Sequence, residues 1–106
     1  MNMYNEKESI RKLGDNLRVL RELTGMSQVA FARSIFIARS SYSDYERGLR
    51  FPDMSLLLLI CDRYGVNLNT MLFGTRGQVE AEYLNEEKVA EKAALIQDIY
   101  DFLQQK

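Results

Sequence analysis

An all-α fold is what this chain predicts, and three features carry the prediction. Apolar residues recur at three- and four-residue intervals along most of its 106 residues, the period of a helix buried on one side. Polar residues suited to capping a helix stand ahead of these runs at Ser9, Ser27, Asp53 and Asn67. Glycines close them at Gly25, Gly65 and Gly74.

Ile10, Leu13, Leu17 and Leu20 form the first stripe, with Arg11, Lys12, Asp15, Asn16 and Arg18 between them, so a helix is expected over 10–23 after Ser9. Gly14 lowers its helix propensity by about 1 kcal/mol and suggests a close approach by another element. A second helix, 28–35, opens after Ser27 and turns Phe31, Ala32 and Ile35 inward, with Ala32 small enough to let another helix cross. The third, 39–46, turns Tyr42 and Tyr45 inward. Only Phe36, Ile37 and Ala38 separate the two, which is helix-turn-helix spacing. Gly48 and Pro52 punctuate the next loop, and Asp53 opens a fourth helix over 54–64. Its inward set is Leu57, Ile60 or Cys61, and Tyr64. Leu56, Leu58 and Leu59 leave it apolar almost all round, so the tail or a second subunit is expected to cover one side. A fifth helix, 68–72, follows Asn67.

Residues 74–77 read as a short linker between a domain at 9–74, preceded by a flexible N-terminus at 1–8, and a helical extension at 78–106. From 78 to 105 the chain is rich in Glu, Ala, Lys and Gln without Gly or Pro, and Asn85 offers a place to break the helix in two. Val89, Ile96 and Leu103 repeat every seven residues with Ile99 nearby, although Lys92 interrupts a strict coiled-coil seam. Packing back on the domain, homodimerisation through these four apolar residues, and a surface for a protein partner all remain open for the extension.

Several function classes are excluded by composition. The longest apolar run, 56–61, is too short to cross a membrane, and the polar start MNMYNEKES lacks the apolar core of a signal peptide. The single Cys61 cannot form an intrachain disulfide and fits a reducing, cytoplasmic setting. With no His, one Cys and no Gly-rich phosphate loop, catalytic triads and the common zinc sites are missing, so no enzyme, cofactor or metal centre is expected. The net charge of -1 conceals an asymmetry. Residues 9–74 carry nine Lys/Arg against six Asp/Glu, whereas residues 75–106 carry four against seven. The positive part holds the third helix, and local charge steers association with nucleic acid more than the total does.

That third helix has two faces. Tyr42 and Tyr45 belong to the core side, while Arg39, Ser40, Ser43 and Asp44 are left for a partner. Arg47 and Arg50 follow its end, within reach of phosphates.

Taken in order, LRVLRELTGMSQVAFA, YSDYERGLRFP and LLLLICDRYGVNLNTML resemble the Cro/C1-type (XRE-like, lambda-repressor-like) helix-turn-helix regulators of phages and bacteria. The likeness covers about 65 residues, from Ile10 to Phe73. It implies a five-helix lambda-repressor-like DNA-binding domain with a C-terminal helical extension, binding double-stranded DNA as a homodimer. It also implies base-edge contacts from Arg39, Ser40, Ser43 and Asp44. Arg39 is suited to guanine O6 and N7; Asp44 would accept from cytosine or orient a neighbouring Arg. Gln28 stands where the family clamps a phosphate and braces the reading side chains, with Ser27 beside it. Arg47 and Arg50 are further phosphate candidates. Arg21 and Glu46 match a structural ion pair between helices one and three.

Two residues depart from the family pattern. Phe36 replaces the usual Gly of the tight turn, and would cost on the order of 1 kcal/mol if its backbone is left-handed. Ala38 stands where Ser or Thr usually caps the third helix, forgoing roughly 1 kcal/mol. The expected function is sequence-specific DNA binding by a transcriptional repressor on a palindromic operator. The alternative is a protein-interaction module, antitoxin-like or part of a regulatory complex, whose acidic tail binds a protein partner.

Overall fold

A computed structural model describes residues 5–85, 97–98 and 101–105. Its helices are α1 (Glu6–Thr24), α2 (Gln28–Ser34), α3 (Arg39–Glu46), α4 (Met54–Tyr64), α5 (Leu68–Phe73) and α6 (Arg76–Tyr83). Residues 101–104 are also helical, and no strand occurs among the described residues. None of these helices is long and apolar enough to cross a membrane.

Capping chemistry explains most of the boundaries. Ser27, Asp53 and Asn67 each accept a backbone N–H from the first turn of α2, α4 and α5. Gly25 and Gly65 end α1 and α4 in the left-handed region, at φ 76° and 70°. The start of α1 differs from the sequence expectation. It begins at Glu6 rather than at residue 10, because Asn5 rather than Ser9 is the cap, its side chain accepting from the Glu8 amide. Glu6 and Glu8 then fall in the first turn, where negative charge complements the helix dipole. Residues 6–8, read as flexible, are therefore helical.

A second difference concerns the expected linker. Thr75 and Gln78 form a reciprocal capping box, so α6 starts at Arg76 inside the stretch read as a connection. Its Val79 is fully buried. At least the opening of the extension thus packs on the domain. Glu82 accepts from the Asn67 amide at 2.8 Å and from the Thr70 hydroxyl, holding α6 to the start of α5.

The core gathers Leu13, Leu17 and Leu20 from α1, Phe31 and Ala32 from α2, with Ile35 just beyond it, and Tyr42 and Tyr45 from α3. Leu57, Ile60 and Tyr64 of α4 complete it with Val66 and Met71, while Cys61 is only partly buried. Phe31 sits between two rings, its centroid 4.9 Å from both Tyr42 and Tyr64. One buried polar residue was not anticipated. Asn16 of α1 donates from Nδ2 to the carbonyls of Met71 (2.9 Å), Gly74 (3.2 Å) and Thr70 (3.3 Å), satisfying the open end of α5. Gly74 is extended rather than left-handed, so α5 lacks the glycine cap that ends α1 and α4.

Candidate nucleic-acid interface

The turn between α2 and α3 is tight. The Phe36 amide donates to the Arg33 carbonyl at 3.1 Å, and the Ile37 amide donates to the Ala32 carbonyl at 3.0 Å. Closing this turn requires a left-handed residue, and Phe36 fills that place at φ 63°, the one positive-φ residue besides glycine among the described residues. Its ring is 77% exposed. Arg63 of α4 lies over it, 5.4 Å from the ring centroid, and donates to the Ser34 carbonyl. Ala38 has the extended backbone of a cap residue but makes no capping bond, so α3 begins without one.

Besides burying Tyr42 and Tyr45 in the core, α3 is fixed to the scaffold through its last residue. Glu46 accepts from Arg21 Nε at 2.6 Å and from Arg21 Nη2 at 3.2 Å. The same carboxylate accepts from Gln28 Nε2 at 3.1 Å, while Arg21 Nη1 donates to the Met26 carbonyl at 3.2 Å. One carboxylate therefore joins α1, the start of α2 and the end of α3. Burial by itself would raise the Glu46 pKa, but the hydrogen bonds to it, led by Arg21, outweigh that and hold it below the ordinary carboxylate value. The bond to Glu46 raises the Arg21 pKa in turn. Tyr42, buried beneath, donates its hydroxyl to the Leu17 carbonyl at 3.3 Å. Burial pushes its pKa well above the ordinary phenol value, so it remains a neutral donor.

With Tyr42 and Tyr45 inward, α3 exposes Arg39 and Ser40 to solvent and leaves Ser43 and Asp44 half-exposed. Asp44 lies 4.0 Å from both Arg47 and Arg50, at the outer limit of an ion pair. Arg50 also lies over the Tyr45 ring, 5.4 Å from its centroid. The surface between α1, the start of α2 and α3 is concave, a cleft of about 710 Å³. Its wall carries five arginines (Arg11, Arg18, Arg21, Arg39, Arg47) against two carboxylates, Asp15 and Glu46, with Gln28 and Ser43 completing it. Low-dielectric walls bearing an excess of one charge focus the field and attract polyanions. Among the described residues no cluster of His, Cys, Asp or Glu is arranged to hold a metal ion.

A family model described as a helix-turn-helix domain matches residues 12–71, the stretch that holds the turn, the Glu46 clamp and all of the cleft lining except Arg11. The chain belongs to the helix-turn-helix family. Among its relatives, this helix-turn-helix protein is 34% identical over 74 residues to the SPbeta prophage-derived uncharacterized HTH-type transcriptional regulator YonR of Bacillus subtilis, covering 69% of this chain and 68% of that one. It is 31% identical over 91 residues to the HTH-type transcriptional regulator ImmR of the same organism, covering 84% and 68%. It is also 34% identical over 55 residues to antitoxin PezA of Streptococcus pneumoniae, covering 52% of this chain. The match spans only about a third of PezA, 35% of its length. No solved structure matches at a significant level.

In this helix-turn-helix protein, Gln28, Arg39, Ser43 and Arg47 converge on the cleft with Arg21 and Glu46. Ser40, Asp44, Ser27 and Arg50 lie outside its lining, and the Ser27 hydroxyl oxygen is occupied by the Ala30 amide. Of the four apolar residues expected to support dimerisation, Val89, Ile96 and Ile99 lie outside the described residues, and Leu103 is exposed. Sequence reasoning missed Arg11 and Arg18, which join the cleft from α1. Their only sequence signal is position: each lies off the apolar stripe of that helix, like any solvated residue.

Proposed function

We propose that this protein is a non-enzymatic transcriptional regulator that binds double-stranded DNA sequence-specifically by placing α3 in the major groove. The observation carrying the reading is that the partly buried Glu46–Arg21–Gln28 clamp fixes the end of α3 while Arg39 and Ser40 stand exposed on its outer face. A reading helix must be held rigidly and still expose polar side chains, and this arrangement supports both requirements. Arg39 would pair with guanine, Ser40 and Ser43 would take donor or acceptor roles, and Asp44 would set Arg47 and Arg50 or accept from cytosine. Gln28, Ser27, Arg47 and Arg50 would hold phosphates.

Two copies on a roughly palindromic operator would present their α3 helices to major-groove faces about 34 Å apart. Occupancy of a promoter would exclude polymerase, which makes repression the natural outcome. A homodimer follows from this geometry, with the extension as the candidate contact.

Selection of binding sites from random duplexes by the full chain tests the reading. A recurrent two-fold motif is expected, with binding that weakens steeply as salt rises. Recovery of no motif together with salt-independent binding overturns it. The similarity to antitoxin PezA supports a second reading, in which the acidic extension engages a protein partner and DNA binding is subsidiary. An R39A/Q28A double variant separates them: unchanged DNA affinity beside intact partner binding would favour the second.

A further inference from the structure

Arg11 differs from most of the cations around the cleft in having no carboxylate partner. Arg21 is engaged by Glu46, and Arg18 by Asp15 at 2.6 Å. Arg47 and Arg50 share Asp44. Among the described residues, Arg11 and Arg39 are the two cleft arginines with no ion pair within 4.0 Å. Arg39 is already assigned to base edges, so Arg11 is the charge left over.

Its position is set by backbone packing. A Cβ on Gly48 would lie 3.2 Å from the Arg11 Cα and 3.4 Å from its nitrogen, so the chain leaving α3 crosses directly against α1 at this residue. Arg47 immediately precedes that crossing and shares the cleft with Arg11. Two cations from different elements thus stand on either side of one backbone contact. Arg47 is partly offset by Asp44, whereas Arg11 is not.

We propose that Arg11 is a DNA-backbone contact, so that α1 contributes to the phosphate grip alongside the residues around α3. The inference rests on the DNA-binding reading and extends it to an element that carries none of the residues assigned above to contact DNA. A phosphate held here would lie beside the end of α3 and would fix the entry angle of that helix without reading sequence. The uncompensated guanidinium has no internal ion pair to surrender on binding.

The test is the salt dependence of binding to a mixed-sequence 24-base-pair duplex, about two helical turns long at the 10–10.5 base pairs per turn of DNA, followed by fluorescence anisotropy. Full-length wild type, R11Q and K12Q are compared. Lys12 is the control because it is the next residue of α1 and lines a different cleft, between α1 and α6. R11Q is expected to shallow the slope of log K against log salt by about 0.9 per bound protomer, the value for one lost phosphate contact. K12Q is expected to leave it unchanged. Sites selected from random duplexes should be the same for R11Q and wild type, since a backbone contact carries no sequence information. Equal slopes for R11Q and wild type, or equal reductions in R11Q and K12Q, overturn the proposal while leaving DNA binding intact. A flat wild-type slope overturns the DNA-binding reading itself. Arg11 is exposed, so both variants should melt with the wild type.

Discussion

A Cβ on Gly14 would lie 2.6 Å from the carbonyl oxygen of Glu46, and as close to that of Tyr45. The end of α3 therefore rests directly on the backbone of α1, and only glycine leaves room for it. Glu46 is held against α1 twice, by this contact and by its carboxylate on Arg21.

In a solvent-facing helix, Gly to Ala would stabilise by about 1 kcal/mol. At Gly14 the steric term should win. G14A is expected to destabilise the domain by about 2 kcal/mol, since overpacking of this kind costs roughly 1–3 kcal/mol. It should also weaken DNA binding beyond the loss of folded protein, because α3 must shift. Urea unfolding and duplex binding measured on the same sample check both parts. A G14A protein as stable as wild type would mean that the two helices can separate freely.

The Arg21–Glu46 pair makes a second prediction. The Glu46 side chain is 5% exposed and that of Arg21 18%, so truncating either leaves a charge largely cut off from water. R21A is expected to cost about 3 kcal/mol. A loss below about 1 kcal/mol, the range of surface pairs, would show that the pair is solvated in solution.

Acid should release the same clamp. Glu46 titrates below its ordinary value of 4.5 in the folded protein, so its contribution is complete above that pH and is lost as pH falls through the folded value. The stability gap between wild type and E46Q should accordingly be constant near neutrality and shrink below about pH 4.5. A gap that stays constant down to pH 3 would contradict the depressed pKa.

Phe36 permits a comparison in which the ring and the backbone separate. F36A removes the ring and its contact with Arg63 but keeps the left-handed strain. F36G removes both. Gly is expected to be the more stable of the two by about 1 kcal/mol, although Gly is normally the poorer residue because of its unfolded-state entropy. Thermal melting resolves a difference of that size in a domain this small. Equal or reversed stabilities would place Phe36 outside the left-handed region in solution.

Much of the fold was legible because helix periodicity and caps are local signals. Ser27, Asp53 and Asn67 cap the helices whose starts they marked. The α1 boundary was misplaced because Ser9 satisfies the local requirements of a cap, and only the helix itself shows that Asn5 is the one used. Phe36 was legible as a question: the resemblance marked a glycine position, and the backbone there is left-handed.

What the sequence determined by itself was the class of fold, the order of its helices and the polar face of α3, all properties of neighbours within a turn or two. Tertiary structure decided the rest. Asn16 finds the carbonyls of Met71 and Gly74, and Arg11 finds Gly48, across more than thirty residues of chain. Val79 enters a core that the sequence had ended before it. For Asn16 and Arg11 the physical reason is the same. A polar residue off the apolar stripe reads as solvated until packing brings an unsatisfied carbonyl or another cation beside it, and such meetings depend on how helices cross rather than on the spacing along any one of them.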